Sequence, residues 1–172
     1  MDVKEAIEKR RSIRKYQDRE VSQDIINELI EAARLSPSAY NAQPWKFKIV
    51  NNNDIIEKMK QEKVFKHEFV YTAPLIIICC GLEESYPEKA SENFNLRDLV
   101  YGDLGIASQN LVLRATELGL GSCYVGIIDR EKIRKILDIS ENYIIPYVIT
   151  IGYSDEDSEA NSRKNRDEIT LR

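Results

Sequence analysis

The sequence has very little of the residues that build metal centres and disulfide frameworks. Its 172 residues include three cysteines, Cys79, Cys80 and Cys123, and one histidine, His67. The number of cysteines is odd and no C-x-x-C pair occurs, which argues against a disulfide framework and against a zinc site. A single histidine excludes a histidine-based metal cluster. We therefore expect no metal site, and this cysteine usage favours the reducing cytoplasm.

Long apolar runs are also missing. The longest, Leu75–Cys80, has the length of a buried strand and falls far short of a membrane span. The N-terminal stretch MDVKEAIEKRR has no apolar signal segment. The formal net charge is −4, which argues against a general affinity for nucleic acid or anionic membranes. We expect neither a membrane nor a nucleic acid among the partners.

What the sequence does contain is the composition of an ordinary globular domain. Hydrophobic residues make up 42% and charged residues 31%, and no repeat or linker divides residues 1–172. Caps and apolar periodicity predict helices beginning near Asp2, Ser22, Asp54 and Asp129, with the longest helix over Arg97–Leu118. Alternating or continuous apolar patterns predict strands over Lys46–Val50, Leu75–Cys80 and Pro146–Gly152, and Gly81–Asn95 is predicted to be a polar loop. Strands scattered between helices indicate an α+β or α/β fold.

A dense basic cluster follows the first helix. Five cations lie between Lys9 and Lys15, in the stretch KRRSIRK. In an extended segment Arg10, Ser12 and Arg14 point the same way, and two guanidinium groups beside a hydroxyl suit a phosphate. A solvated basic face is the commoner outcome of such a run. A nucleic-acid patch is the third interpretation, although the acidic total and the lack of interleaved aromatics argue against it.

The residues alone allow two interpretations for each of three further stretches. The segment Ser36–Gln43, SPSAYNAQ, is either an ordinary helix-to-strand turn or part of a site. The stretch Gly119–Gly126 is not a G-x-G-x-x-G motif, and a helix C-cap followed by a buried strand is the simpler interpretation. The tail, residues 153–172, is either a disordered terminus or a docking segment, and Ile169 and Leu171 favour docking.

Four stretches taken together resemble the flavin-dependent nitroreductase family. They are RRSIRKY, SPSAYNAQPWKF, LGLGSCYVG after the long helix, and SRKNRDE, and they occur in the order of that family over nearly the whole chain. The resemblance implies an α+β sandwich with a central mixed sheet flanked by helices. It also implies an intertwined homodimer with FMN at the dimer interface, where the tail of residues 153–172 docks.

The resemblance also assigns cofactor contacts. It places Arg10, Ser12 and Arg163 at the FMN phosphate and ribityl chain, with Arg11 in the same group, and Arg14 near the N1/O2 edge of the flavin ring. The complete set that it implies is Arg10, Arg11, Ser12, Arg14, Pro37, Ser38, Ala39, Asn41, Gln43, Lys66, Tyr124, Val125, Gly126 and Arg163.

The other contacts surround the ring. The resemblance implies that Gly126 offers its N–H to flavin N5, with Tyr124 and Val125 lining that side. Pro37, Ser38 and Ala39 come from the partner subunit and pack on the dimethylbenzene edge. The same resemblance puts Asn41 and Gln43 close by as polar fixing groups, and Lys66 at the pyrimidine edge.

The implied function is hydride transfer from NADH or NADPH onto FMN and electron transfer to a nitroaromatic, quinone or similar small-molecule acceptor. No side chain is needed as a catalytic acid or base, since the flavin performs the chemistry. Two alternatives stay open: a flavin-binding or flavin-sensing protein without turnover, and a relative that uses FMN for dehalogenation or another specialised redox reaction. The resemblance also suggests that the long helix, with Leu104, Ala107, Leu111 and Ala115, supplies much of the dimer interface.

Overall fold

The computed structural model describes residues 1–171 as six helices, four strands and short 3-10 turns. The helices are α1 Val3–Lys9, α2 Gln23–Arg34, α3 Asn53–Gln61, α4 Glu88–Ser91, α5 Leu96–Glu117 and α6 Arg130–Leu137. The strands are β1 Trp45–Val50, β2 Leu75–Gly81, β3 Gly121–Val125 and β4 Ile144–Gly152. The 3-10 turns are Ala39–Asn41, Glu68–Thr72, Glu83–Ser85 and Arg166–Glu168.

Local cap chemistry explains where the helices begin. Asp2 and Glu5 form a capping box at α1, Ser22 accepts the Ile25 N–H at α2, and Asp129 accepts the Lys132 N–H at α6. Each of these side chains satisfies an N–H that has no partner inside its helix. The predicted helix starts are therefore confirmed, with Asn52 as the cap of α3.

The sheet is buried on both faces. Its strand order is β1-β2-β4-β3. Even-numbered residues of β2 such as Ile76 pack in a cluster with α3 and α6, and odd-numbered residues such as Ile77 pack in a cluster with α2 and α5. This arrangement explains the continuous apolar run of β2, in which every residue is buried. The predicted α+β sandwich is confirmed.

The expected mixed sheet is wrong in its strand directions. All three strand pairs are antiparallel, and within residues 1–171 parallel pairing is limited to an isolated bridge between Ser12 and Ser122. A strand such as β2 that is apolar throughout is typical of parallel sheets, but here it follows from helices on both faces. Apolar pattern therefore reports burial and not strand direction.

The segment predicted as a polar loop, Gly81–Asn95, is partly helical. It contains the 3-10 turn Glu83–Ser85 and helix α4. Tyr86 and Ala90 are buried and pack with Val100 of α5. Tyr86 and Ala90 are thus two buried residues in a segment that is mostly polar. The many charged residues around them explain why the sequence pattern predicted a loop.

The tail begins beside the basic cluster and then runs exposed. Tyr16 pairs with Ser154, and the Gln17 N–H donates to the Tyr153 carbonyl over 2.9 Å. Further along, Ile169 is 71% exposed and Leu171 is 101% exposed. The predicted docking of the tail stays a prediction, since these apolar side chains find no cover within residues 1–171. In the same part of the chain no helix has the length and apolar character needed to cross a membrane.

Candidate functional site

The basic segment, defined here as Arg10–Lys15, lies extended along the edge of the sheet beside β3. The Ile13 N–H donates to the Ser122 carbonyl over 3.0 Å, and Ser12 pairs with Ser122. The Ile13 side chain is buried, 6% exposed, and lies directly over Gly121, which has no side chain to obstruct it. The expected extended conformation is confirmed, and burial of Ile13 leaves its neighbours Ser12 and Arg14 on the opposite side.

Arg10, Ser12 and Arg14 converge on the same part of β3. Burial raises the pKa of the Cys123 thiol, and the opposing influences are Arg14, a Ser12 hydrogen bond and Arg10. Burial likewise raises the pKa of Tyr124 to about 12, against a lowering influence from Arg10. The Ser12–Ser122 bridge places this segment beside β3, so the structure brings the residues that the sequence predicted as one group to that strand.

The guanidinium groups of this segment have no carboxylate partner in the part of the chain that the structure describes. Within residues 1–171, none of the salt bridges involves Arg10, Arg11 or Arg14. Arg11 donates to the carbonyls of Glu8 and Arg10, while its buried Nε has no hydrogen-bond partner. Arg14 donates to the Ser12 carbonyl over 3.2 Å. Alternation along the extended segment places the Arg10 and Arg14 side chains on the same side as the Ser12 hydroxyl. Two guanidinium groups beside a hydroxyl form a cradle suited to an anion such as a phosphate.

Acidic residues at the start of the tail border this cradle. Asp155 pairs with Lys15 over 2.6 Å, and this hydrogen bond is the main reason that the pKa of Lys15 is raised. The Arg14 N–H donates to the Glu156 carboxylate over 2.6 Å. Lys15 is thus neutralised by the protein itself, whereas the three arginine side chains keep their charge for a ligand.

Gly126 and Lys66 lie at the far end of β3. Gly126 is exposed, and a Cβ at this position would meet no atom within 4 Å, so a flat ring could approach the backbone closely. Phe65 pairs with Ile128, which places the exposed Lys66 beside the turn that follows Gly126. The structure therefore gathers Lys66 and Gly126 at one end of the strand that carries the cradle.

The two other predicted residues of β3 differ in accessibility. Tyr124 is 36% exposed, and its hydroxyl donates to Ser108 of α5, which also bonds Tyr147. The Val125 side chain is 3% exposed and belongs to the core. Side chains alternate along a strand, so Tyr124 faces outward and Val125 faces the core. Val125 can therefore contact a ligand only through its backbone.

The loop Ser36–Gln43, called loop 36–43 below, is fixed on α5. The Asp103 carboxylate accepts the Ala39 N–H, and the Asn110 amide donates to the Ser36 hydroxyl over 2.7 Å. Pro37, Asn41 and Gln43 are exposed and Ser38 and Ala39 are half-buried, so every predicted residue of the loop is accessible. Asp103 and Asn110 were not predicted from the sequence. The available signal was that Asp103 is the one charged residue in the stretch Leu99–Leu113 of α5.

The loop and the tail arginine are not joined to the cradle within the chain. Among residues 1–171, the hydrogen bonds of loop 36–43 go to α5, to the end of α2 at Ala33, or to the loop itself. Arg163 is exposed, and its guanidinium donates to the carbonyls of Asn161 and Ser162. One chain thus presents three separate groups: the cradle with the end of β3, loop 36–43, and Arg163.

Two features exclude other kinds of site in the described part of the chain. All three cysteines are free and buried, and burial raises the pKa of Cys79 well above its usual value. Residues 1–171 contain no group of three or more His, Cys, Asp or Glu side chains placed to hold a metal ion. The arginine cradle is therefore the strongest candidate site of this fold.

Comparisons with known proteins agree with the fold. The model of the nitroreductase family matches residues 7–66 and 53–153. A Methanothermobacter thermautotrophicus protein, provisionally named an NADH dehydrogenase/NAD(P)H nitroreductase, is 40% identical over 99% of this chain and 87% of its own length. An oxygen-insensitive NADPH nitroreductase of Helicobacter pylori is 28% identical over 88% of this chain and 87% of its own.

A solved structure extends the agreement to three dimensions. An FMN-dependent nitroreductase of Clostridium difficile superposes with a TM-score of 0.79 at 31% identity, covering 97% of this chain and 96% of its own. The fold and the matched sequences define an oxidoreductase. The chain belongs to the nitroreductase family.

Proposed function

We propose that the protein is a homodimeric, FMN-dependent NAD(P)H oxidoreductase that passes electrons to a nitroaromatic, quinone or similar acceptor. The observation that carries the proposal is the cradle of Arg10, Ser12 and Arg14, with Arg11 in the same segment. Its guanidinium groups lack carboxylate partners, and the buried Nε of Arg11 lacks any partner within residues 1–171. Guanidinium groups without a carboxylate partner favour a bound anion, because charge-assisted hydrogen bonds to phosphate oxygens are strong.

FMN fits the donors that β3 and its neighbours present. The cradle offers positive charge and a hydroxyl for the phosphate and ribityl chain, with Arg14 toward the ring. The open face of Gly126 leaves room for a flat ring beside a backbone N–H. Lys66 adds a cation at that end. When bound, FMN supplies the exchange of hydride between NAD(P)H and the acceptor, and the side chains of this protein hold it in place. The C. difficile relative is described as FMN-dependent, which supports the choice of cofactor.

We further propose that a second copy of the chain completes the site. Helix α5 carries one charged residue between Leu99 and Leu113, and that residue, Asp103, is buried. Its outward face is uncharged and consists of Tyr101, Gly102, Ile106 and Gln109, with Tyr101 42% exposed and Ile106 44% exposed. An uncharged helix face with exposed large apolar side chains fits a protein–protein contact, so this face fits a partner copy. Much of loop 36–43 and most of the tail are exposed in the single chain. In the proposed dimer, these segments of one subunit pack against the cradle of the other.

The α5 face gives a test of the dimer. Gly102 is exposed and a Cβ there meets nothing within 4 Å, so a side chain at this position starts into open space in one chain and would clash with a partner packed on this face. We expect Gly102→Trp to convert a dimer to a monomer or to weaken it by about a hundredfold, since overpacking at an interface costs several kcal/mol. Sedimentation equilibrium measures the association constant.

The matched control for the dimer test is Lys135→Trp, at an exposed position of α6. This variant adds the same indole away from α5 and should keep the wild-type mass. A wild-type protein that is monomeric, or a Gly102→Trp variant as dimeric as the control, contradicts the proposed interface.

The proposed reaction is tested by steady-state turnover. Purified protein reconstituted with FMN is mixed with NADH or NADPH and with a quinone or a nitroaromatic, and the loss of nicotinamide absorbance is followed. We expect oxidation that requires FMN, protein and acceptor together. Nicotinamide oxidation no faster than with free FMN alone would show that the protein does not catalyse the proposed reaction.

A further inference from the structure

Loop 36–43 has an unusual backbone. Tyr40, Asn41 and Gln43 have φ values of 55°, 53° and 47°. None of the three is glycine, and left-handed backbone of this kind is uncommon for residues with a Cβ. Such conformations persist only where the surroundings impose them, and they are concentrated at functional sites. Contacts from the rest of the chain must therefore stabilise the left-handed residues of this loop.

The principal contact is a buried carboxylate on α5. Asp103 is 6% exposed, and its two oxygens accept the Ala39 N–H over 3.2 and 3.0 Å. The Tyr86 hydroxyl, also buried, donates to the same carboxylate over 2.7 Å. Burial, followed by this hydrogen bond to Asp103, raises the pKa of Tyr86. A buried carboxylate is retained only where donors compensate it, and both donors here fix its position.

The remaining contacts hold the two ends of the loop. The Ser38 hydroxyl accepts the Gln43 N–H over 2.9 Å, which closes the strained turn on itself. Ala39 and Ala42 pack against the small cluster that contains Tyr86 and Val100. The side of the loop that faces away from this cluster is exposed at Pro37, Asn41 and Gln43. Asp103 thus holds the inner side of a loop whose outer side is free to meet a ligand.

We propose that Asp103, oriented by Tyr86, is a positioning residue that fixes loop 36–43 in its left-handed conformation and so sets how the loop meets FMN in the neighbouring subunit. The inference rests on the proposed function for its use of FMN. The hold on the loop itself is a property of one chain, and it is measurable without FMN.

The first test is hydrogen–deuterium exchange of the FMN-free protein. Asp103→Ala removes both acceptors and should speed amide exchange across residues 39–43 by about tenfold or more, because local opening becomes easier. Asp103→Asn keeps an oxygen for the Ala39 N–H and an amide for the Tyr86 oxygen, so its exchange should stay near wild type. Asn52→Ala, which removes the cap of the distant helix α3, controls for a general loss of stability.

The second test is the dissociation constant of FMN together with kcat and KM. We expect Asp103→Ala to raise the FMN dissociation constant by about tenfold, with Asp103→Asn restoring it to within about threefold. Asn52→Ala should leave FMN binding unchanged despite lower stability. At saturating FMN, Asp103→Ala should lower kcat more than it raises the KM for NAD(P)H, since the loop orients bound groups.

The outcomes separate the two proposals. A wild-type protein that binds no FMN overturns the proposed function and this use of the loop, whatever the exchange result. If wild type binds FMN, equal exchange and equal FMN affinity in Asp103→Ala overturn the positioning role. If Asp103→Ala does not fold, Tyr86→Phe removes only one donor. In that case, faster exchange of residues 39–43 and weaker FMN binding in Tyr86→Phe than in wild type support the role. Wild-type exchange and wild-type FMN affinity in Tyr86→Phe contradict it.

Discussion

Replacing Arg10 and Arg14 together with alanine should weaken FMN binding by about a hundredfold or more, since a hydrogen bond to a charged group contributes about 1.5–3 kcal/mol. Neither guanidinium has a carboxylate partner within residues 1–171, so their removal leaves no orphaned acid and the loss is specific to the ligand. Quenching of flavin fluorescence on titration measures the dissociation constant.

The control for this variant is Lys58→Ala with Lys60→Ala. Both lysines are exposed on α3, and their removal changes the net charge by the same amount as removal of the two arginines. The control should bind FMN as wild type does. An arginine double variant that also binds as wild type does would show that the cradle does not hold FMN.

The same titration tests the tail. Arg163→Ala should weaken FMN binding by about 1.5–3 kcal/mol if the tail of the partner closes on the phosphate. Within one chain Arg163 bonds only to its own segment. Unchanged affinity would therefore show that the tail does not reach the phosphate.

Gly121→Ala should lower the free energy of unfolding by about 3 kcal/mol or more, at the upper end of overpacking effects. The new Cβ would lie 2.5 Å from Cγ1 of Ile13 and 2.8 Å from its Cβ. A β-branched side chain has few rotamers, so Ile13 can move away only if the basic segment leaves β3. We therefore expect the cradle to be disrupted together with the loss of stability.

Urea denaturation of the FMN-free protein measures this effect, with Gly126→Ala as the control. The control adds the same methyl group beyond the other end of β3, where no atom lies within 4 Å. It should change the free energy of unfolding by no more than about 0.5 kcal/mol. Equal stability of the two variants would contradict the close packing of Ile13 on Gly121.

The sequence predicted best what is encoded locally. The caps Asp2, Ser22 and Asp129 have their predicted roles because a cap bonds an N–H two or three residues away. The extended basic segment was also correct, since alternation of Ile13 with polar neighbours is a local pattern. From this short stretch alone a solvated basic face was the commoner interpretation, and the FMN contacts of Arg10, Ser12 and Arg14 came from the family resemblance and stay a prediction.

Features that depend on long-range contacts could not be predicted. The mixed sheet that the resemblance implied was wrong for the strand pairs of this chain, and apolar pattern could not correct it because it does not encode strand direction. Asp103 was missed because its partner Ala39 is 64 residues away, and the buried Tyr86 lies in a segment whose charges suggest a loop. The contribution of a second chain is inferred from exposed faces, since the single chain does not contain those contacts.

The most direct measurement of the central claim is the visible spectrum of the purified protein, taken anaerobically before and after addition of NADH or NADPH. We predict a yellow protein whose flavin absorbance bleaches on addition of the nicotinamide and returns when a quinone or nitroaromatic is added. A bound flavin that does not bleach would contradict NAD(P)H as the electron donor. A colourless protein that cannot be reconstituted with FMN would contradict the account of the site.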